Sequence, residues 1–170
     1  GGGLLGGGAA LLAACVAWRC LSTPLVQTAF NPDEHWQSLE VAHRTVFGYG
    51  HLTWEWAAGL RGWAHPLLFA ALYRVMDAAG VAGAPGALAL APRLLQGVAA
   101  GCGDWCLHGL ALRWYGSDTA FFTMLFQMTS WFQTFVSIRT YSNCFESVLC
   151  TAALLSWPAG PGGGMGGGGR

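Results

Sequence analysis

Lysine is absent from this sequence, and charged residues of either sign are scarce. They make up 9% of the 170 residues, against roughly a quarter in an average globular domain. Eight Arg balance eight acidic residues, so the chain offers no basic surface to a nucleic acid and we expect no nucleic acid partner. Hydrophobic residues make up 54%. So few charges would leave large apolar patches on a soluble surface, and the composition therefore favours a membrane protein.

Neither a disulfide scaffold nor a metal centre is indicated. The six Cys lie in or beside apolar stretches, where Cys packs as a small hydrophobe. Cys102 and Cys106 are one helical turn apart, but no second ligand pair accompanies them. His35, His43 and His51 are spaced by eight residues, which differs from the four-residue spacing of a helical metal site. We therefore expect no metal.

Glycine-rich segments form both ends of the chain. Of the 26 Gly, 14 lie within residues 1–8 and 160–169, and such a composition predicts low-complexity tails rather than packed structure. Residues 159–170 are assigned to a Gly-rich tail. No Met begins the sequence, and we expect the chain to be the N-terminal part of a longer protein.

Five apolar stretches are candidates for crossing a bilayer, which takes about 20 residues. They are residues 4–21, 66–79, 87–114, 119–138 and 144–158. A signal peptide is an alternative interpretation of the first, the second is short for a span, and the fourth is the clearest because it carries no charge. The pattern predicts an all-α fold, a polytopic transmembrane helical bundle with about four to five crossings in residues 1–158.

Polar side chains recur at steps of four and three within residues 119–138, which places them on one face of a helix. They are Thr123, Gln127, Ser130, Thr134 and Ser137. In lipid such a stripe turns inward, and two roles stay open for it. It hydrogen-bonds a neighbouring helix, or it lines a polar cavity.

Residues 31–65 are too polar to span a membrane, yet they are rich in Trp, which favours the membrane–water interface. The segment Asn31-Pro32-Asp33-Glu34 predicts a helix start, with Asn31 as the cap and Glu34 at the third position of a capping box. The helix is predicted to end near Phe47, before Gly48-Tyr49-Gly50. Its apolar residues are expected to lie along the interface. They are Trp36, Leu39, Ala42 and Val46.

The adjacent carboxylates Asp33 and Glu34 have two interpretations. In the structural one, both complement the dipole of the helix that they begin. In the functional one, one carboxylate is a general base and its neighbour orients it. The helix terminus lowers a carboxylate pKa whereas a neighbouring like charge raises it, so the pair alone decides neither.

Four segments of the chain carry a resemblance to a known family. They are FNPDEHWQSLEVAHRTVFGYGHLTWEW, LRGWAHPLLFA, APRLLQGVAAGCGDWCLHGLAL and SIRTYSNCFESVLCTAALLSWP. They cover roughly residues 18–158, and QSLEVAHR combined with YGHLTWEW is the most specific part. The segments resemble glycosyltransferase family 22, and within it the subfamily of third GPI mannosyltransferases, which add the third mannose of the glycosylphosphatidylinositol (GPI) anchor.

The resemblance implies the N-terminal part of a GT-C fold, a multi-pass bundle of the endoplasmic reticulum membrane with its site on the lumenal side. It implies a donor, dolichyl-phosphate-mannose, and an acceptor, the GPI glycolipid precursor, with no cofactor and no metal. The product would be α-1,2-linked, formed from a β-linked donor by one inverting displacement. Such a reaction needs one base for the acceptor hydroxyl.

The resemblance further implies roles for nine residues. Asp33 would be the catalytic base and Glu34 its positioning partner. The leaving phosphate needs positive or hydrogen-bond-donating groups, for which Arg61, His65 and Arg139 are candidates, although Arg139 could instead pair with Asp104 or Glu146. The predicted substrate-binding residues are His35, Trp54, Trp56, Arg61, His65, Asp104 and Arg139.

Three alternatives remain open. Another member of the family would act on the N-glycan lipid-linked oligosaccharide or on the fourth GPI mannose. A transporter would also place Asp104 and a polar-striped helix in the membrane. A non-catalytic membrane subunit would tolerate the loss of Asp33.

Overall fold

The computed structural model describes residues 2–28 and 31–158, and for residues 2–6 only the backbone. Throughout these ranges the chain forms helices and turns without a strand, which confirms the predicted all-α class. The predicted tail, residues 159–170, lies outside the described ranges. The helices are α1 Gly2–Ser22, α2 Glu40–Phe47, α3 Trp54–Ala57, α4 Ala64–Ala78, α5 Ala87–Tyr115, α6 Ser117–Thr129, α7 Trp131–Val136 and α8 Ser142–Ser156.

One helical segment in the described part of the chain, Gly7–Leu25, is long and apolar enough to cross a membrane. It overlaps the first predicted span, and a signal sequence would satisfy the same criteria. The later apolar stretches form helices without meeting these criteria, so the number of crossings stays a prediction.

Helix α5 is the centre of the fold and contacts α1, α6 and α8. Two glycines one turn apart, Gly97 and Gly101, face α1. A Cβ atom at Gly101 would lie 2.6 Å from the Cα atom of Val16, so only glycine permits this approach of the two backbones. Small residues four apart are a common device for packing helices closely in membranes. The GVAAG segment therefore determines how near α1 lies to α5.

A buried ion pair joins α1 to α5 beside these glycines. The Arg19 side chain is fully buried and donates from Nε and Nη2 to the two carboxylate oxygens of Asp104, at 2.6 and 3.0 Å. Gln127 of α6 donates to the same carboxylate at 2.9 Å, and its main-chain oxygen accepts from Arg19 at 3.3 Å. Three helices thus share one charge pair. Gln127 of the predicted stripe therefore hydrogen-bonds a neighbouring helix.

A second core lies where α2 packs on α4. It is built from Ala42, Phe69, Ala70, Tyr73 and Met76, which are all buried. Leu39 and Val46, which were expected to lie along the membrane interface, pack against this cluster instead. Trp36 is 38% exposed and does not join it.

Pro92 lies inside α5, where it cannot donate a backbone hydrogen bond to the carbonyl of Leu88 one turn earlier. The hydroxyl of Tyr73 donates to this carbonyl at 2.9 Å. A side chain of α4 therefore satisfies an acceptor that the proline leaves without its helical partner, and this bond ties the second core to α5.

The predicted helix start at Asn31 is confirmed. The Asn31 side chain accepts from the Asp33 amide at 3.1 Å, and the Glu34 carboxylate accepts from the Asn31 amide at 3.3 Å, which is the reciprocal pattern of a capping box. The helix ends at Phe47 as predicted, because Gly48 adopts a left-handed φ of 82°. A π-helical turn, His35–Leu39, precedes α2 and was not predicted.

The prediction of a single helix over residues 119–138 is wrong. The chain forms α6 and α7 with a break at Ser130, whose ψ of 113° is extended. The Ser130 hydroxyl accepts from the amide of Gln133 and so caps α7. Serine favours this role over a helix interior because its side chain competes for backbone donors. The break turns Gln133 and Ser137 toward α8.

We predict that Tyr73→Phe lowers the free energy of unfolding by about 1 kcal/mol, because it leaves the Leu88 carbonyl without a donor. Pro92→Ala restores a backbone donor to that carbonyl. The cost of Tyr73→Phe should therefore shrink in the Pro92→Ala background. Thermal unfolding of the four proteins in detergent measures this double-mutant cycle, and an equal cost in both backgrounds would contradict the arrangement.

We also predict that Asp104→Asn destabilises the protein by about 3–5 kcal/mol, since it leaves the Arg19 charge buried and unpaired. The double variant Arg19→Met, Asp104→Leu removes both charges and should recover most of the loss. The thermal midpoint of detergent-solubilised protein tests both statements. A double variant no more stable than Asp104→Asn would show that an unpaired buried charge is not the cause of the loss.

Candidate active site

Glu34 is buried and engaged in several contacts. Its main-chain oxygen accepts from the Thr140 hydroxyl at 3.3 Å, and its carboxylate takes part in the capping box. One carboxylate oxygen lies 3.7 Å from an Arg139 guanidinium nitrogen. The start of the first polar helix is therefore fastened to the turn between α7 and α8.

Arg139 is 1% exposed and completes this second buried pair. Its Nε donates to the Phe135 carbonyl at 3.3 Å, and its Nη2 donates to the Thr28 hydroxyl at 3.3 Å. Nη1 donates to the Thr28 carbonyl, and the guanidinium carbon lies 4.3 Å from the centre of the Phe135 ring. Burial lowers the pKa of Arg139, and the nearby Glu34 charge opposes that shift.

The alternative pairing of Arg139 with Asp104 or Glu146 is wrong. Asp104 pairs with Arg19, and the carboxylate within ion-pair distance of Arg139 belongs to Glu34. Because its guanidinium donates to main-chain oxygens and lies beside a carboxylate, Arg139 holds the chain segments together.

Asp33 differs from its neighbour in being half-buried. Within residues 2–28 and 31–158, its carboxylate makes no hydrogen bond or ion pair. The charge of Arg61 is close enough to interact with Asp33 and with Tyr141. The Asp33 carboxylate can therefore receive a proton from an incoming hydroxyl group.

Arg61 is partly exposed and is hydrogen-bonded to Glu55. Its Nε and Nη2 donate to the two Glu55 carboxylate oxygens at 3.0 and 2.8 Å. This hydrogen bonding lowers the pKa of Glu55 and raises the pKa of Arg61, with smaller contributions to Arg61 from Asp33 and Tyr141. The Arg61 side chain is 38% exposed, so a ligand can reach it.

His65 is the last member of a chain of hydrogen bonds that also includes Ser38 and Thr140. The Ser38 hydroxyl donates to the Thr140 carbonyl at 3.0 Å, and Nδ1 of His65 lies 3.0 Å from the same hydroxyl oxygen. A hydroxyl has one proton to donate, so Nδ1 must be the donor and Nε2 bears a lone pair. Burial lowers the pKa of His65. A neutral ring whose free nitrogen is an acceptor does not suit phosphate binding.

A cavity of about 460 Å³ lies between α5, α6, α7 and α8. Its wall includes Tyr141 and Cys144, which follow the buried Arg139 by two and five residues in the chain. The cavity therefore lies next to the turn that carries Arg139. Gln127, Gln133, Ser137 and Asp104 also line it. Of the predicted stripe, Gln127 and Ser137 thus line a cavity and Gln127 also bonds a neighbouring helix, whereas Thr123 bonds its own helix and Ser130 caps α7.

The other four predicted substrate-binding residues are His35, Trp54, Trp56 and Asp104. Nε2 of His35 is 3.3 Å from the Glu40 carboxylate and borders a separate cavity of about 370 Å³. Trp54 is 72% exposed, whereas Trp56 is buried with its ring centre 4.9 Å from that of Trp63. Asp104 lines the larger cavity but is held by Arg19.

Sequence reasoning missed most of the polar cavity wall. Tyr141, Asn143 and Ser147 follow Arg139 within one quoted segment, SIRTYSNCFES. Asn143, Ser147 and Thr151 recur every four residues, which puts them on one face of α8. This periodicity was the available signal.

The burial of His65 predicts a pH dependence of stability. The unfolded chain protonates this residue near its ordinary pKa of 6.5, whereas the folded chain does so at a lower pH. Below about pH 6.5 the unfolded state binds more protons, so the free energy of unfolding falls as the pH drops. His65→Asn keeps a donor near Ser38 and does not titrate, so it should flatten this dependence. Thermal midpoints across this pH range test it, with the exposed His51→Asn as the control that keeps the wild-type slope.

Comparison with known proteins identifies the family of this chain. The model of the Alg9-like mannosyltransferase family matches residues 10–160. Mannosyltransferase APTG1 of Arabidopsis thaliana is 46% identical over 92% of this chain and 28% of its own length. GPI alpha-1,2-mannosyltransferase 3 of Xenopus laevis is 43% identical over 93% of the chain and 30% of its own length, and the Homo sapiens protein of that name is 40% identical over 92% and 28%.

The chain thus spans less than a third of the length of these curated relatives. No solved structure matches it. Because the family model covers most of the sequence and the relatives are 40–46% identical over more than nine tenths of it, the chain belongs to the Alg9-like mannosyltransferase family.

Proposed function

We propose that the protein to which this chain belongs is an α-1,2-mannosyltransferase that adds the third mannose to the GPI-anchor precursor. The donor is dolichyl-phosphate-mannose and the reaction takes place at the lumenal face of the endoplasmic reticulum membrane. Relatives named GPI alpha-1,2-mannosyltransferase 3 support the acceptor and the linkage. The fold of the whole protein is a polytopic GT-C bundle, and the present chain supplies its N-terminal helices.

The different environments of Asp33 and Glu34 carry the proposal. Glu34 is buried, accepts a hydrogen bond in the capping box and lies beside Arg139. Asp33 is half-buried, and its carboxylate has no hydrogen-bond partner in the described residues. A general base must be reachable by the hydroxyl that it deprotonates. Asp33 is therefore the base, and Glu34 positions it by fixing the helix start.

The reaction is one inverting displacement at the anomeric carbon of the donor mannose. Asp33 takes the proton of the acceptor hydroxyl as its oxygen bonds to that carbon. The bond from the carbon to the phosphate oxygen breaks, and dolichyl phosphate leaves with the electron pair. A β-linked donor thereby becomes an α-linked product, without a cofactor.

The leaving phosphate gains negative charge that a cation must stabilise. Arg61 has the accessible guanidinium near Asp33, so it takes this role with Glu55 orienting it. Arg139 and Asp104 serve instead as the buried partners of Glu34 and Arg19. Trp54 is exposed enough to contact a sugar face or the membrane interface. His35 lines the smaller cavity and lies beside Glu40, so it has no role in this step.

We predict that Asp33→Asn lowers mannose transfer about 100-fold or more, because the base is lost while the side-chain shape is kept. The gene that encodes this chain, expressed from its natural start to its natural stop, would be introduced into cells that lack the third GPI mannosyltransferase. Mannose-labelled lipids are then profiled. Wild type should convert the two-mannose intermediate to the three-mannose species, and the variant should not.

The matched control is Asp118→Asn, which alters an exposed acidic residue in the first turn of α6. It should leave transfer unchanged, and all variants should reach the membrane in equal amounts. Full activity of Asp33→Asn would contradict its role as the base. If wild type is present in the membrane and the two-mannose lipid persists, the acceptor is wrong and the N-glycan precursor becomes the acceptor to test.

A further inference from the structure

The cavity between α5, α6, α7 and α8 has a polar wall that carries no net charge. Asp104 is the one carboxylate among its lining residues, and Arg19 neutralises it. Within the described ranges, no Arg or His side chain lines the cavity. A phosphate requires a cation or several charge-assisted donors, so this wall does not suit a phosphate.

Hydrogen-bonding groups in the cavity wall are largely unused. The Gln133 amide and the hydroxyls of Ser137, Tyr141 and Ser147 have no hydrogen-bond partner in the part of the chain that the structure describes. The Asn143 oxygen accepts from Ser142 at 3.4 Å, which leaves its two N–H donors. The Ser137 hydroxyl is buried without a partner, which is costly, whereas Asn143 and Ser147 are exposed and Gln133 and Tyr141 are partly exposed. A ligand with several hydroxyl groups can reach these side chains and hydrogen-bond them.

The remaining wall is apolar, with Phe132, Val136 and Val148 among its members. A volume of about 460 Å³ falls within the range of small-molecule sites, which combine apolar surface with a few polar groups. A hexose has the same mixture of C–H faces and hydroxyl edges. The dimensions and the chemistry therefore agree on the class of ligand.

We propose that this cavity is a hexose-binding subsite, in which Gln133, Asn143 and Ser147 hydrogen-bond the hydroxyl groups of a mannose. The inference rests on the proposed function and adds to it the side chains that recognise sugar. Because Tyr141 lines the cavity and its neighbour Thr140 donates to the main-chain oxygen of Glu34 at 3.3 Å, the cavity lies near the start of the helix that carries Asp33. The mannose belongs either to the donor or to the acceptor.

The break at Ser130 is what forms this subsite. In an uninterrupted helix, Gln133 and Ser137 would continue the direction of α6. The capped restart of the helix instead brings them opposite Asn143 and Ser147 of α8. The interruption of the helix at Ser130 therefore gives the cavity two of its polar side chains.

The experiment compares purified full-length wild type with Gln133→Leu, Asn143→Leu and Ser147→Ala. Equilibrium binding is measured for dolichyl-phosphate-mannose and dolichyl phosphate, which differ only in the sugar. Transfer kinetics give the KM for the GPI acceptor. Ser156→Leu, on the same helix α8 but outside the cavity wall, is the matched control, and thermal midpoints establish that each variant is folded.

If the cavity holds the donor mannose, wild type binds the mannose-bearing lipid more tightly, and each leucine variant reduces this preference about tenfold. If the cavity holds the acceptor mannose, the preference is unchanged and the KM for the acceptor rises about tenfold. Ser147→Ala should give a smaller change of the same kind, and Ser156→Leu none. Either pattern supports the subsite.

Folded variants with unchanged preference and unchanged KM would overturn the subsite, even if wild type transfers mannose. A wild type that prefers the mannose-bearing lipid without transferring its sugar would keep the subsite and overturn the proposed reaction. Absence of both preference and transfer in wild type would overturn both proposals.

Discussion

A charge in the interior of a helical bundle must be paired, and Arg19 and Asp104 meet this requirement for each other across α1 and α5. Gly97 and Gly101 allow the two helices to approach closely enough for the pair to form. Gln127 extends the same network to α6. The relative placement of three helices thus depends on one carboxylate, and so does the position of the cavity that this carboxylate lines.

The second buried pair, Glu34 with Arg139, connects this arrangement to the candidate site. Arg139 fastens Thr28, Phe135 and the start of the helix at Asp33 to one guanidinium. Ser38, Thr140 and His65 reinforce the same junction with neutral hydrogen bonds. The two neighbouring carboxylates therefore lie in different environments. Glu34 holds the junction, and the Asp33 carboxylate is left open to an incoming group.

Local features of the fold were predictable from the sequence, and pairings over long distances were not. The capping box at Asn31 and the helix end at Gly48 involve atoms within a few residues of one another, so residue types and spacing suffice. Arg19 and Asp104 are 85 residues apart, and several arginines compete for each acid. The pattern at Ser130 was ambiguous for another reason, since a serine fits a polar helical stripe and equally caps a new helix. The structure shows the second outcome, in which the Ser130 hydroxyl accepts from the amide of Gln133.

Segregation of charge around the site has a consequence for how a lipid-linked sugar would lie in it. The accessible cation, Arg61, is on the exposed side of Asp33, whereas the cavity beyond Tyr141 is neutral and rich in hydroxyl and amide groups. On the proposed function, a phosphate would be stabilised at Arg61 and an uncharged sugar would lie in the cavity. An inverting displacement needs the base at the acceptor hydroxyl, across the anomeric carbon from the leaving phosphate. The proposed function therefore requires the sugar to lie between the Asp33 carboxylate and the phosphate bound by Arg61.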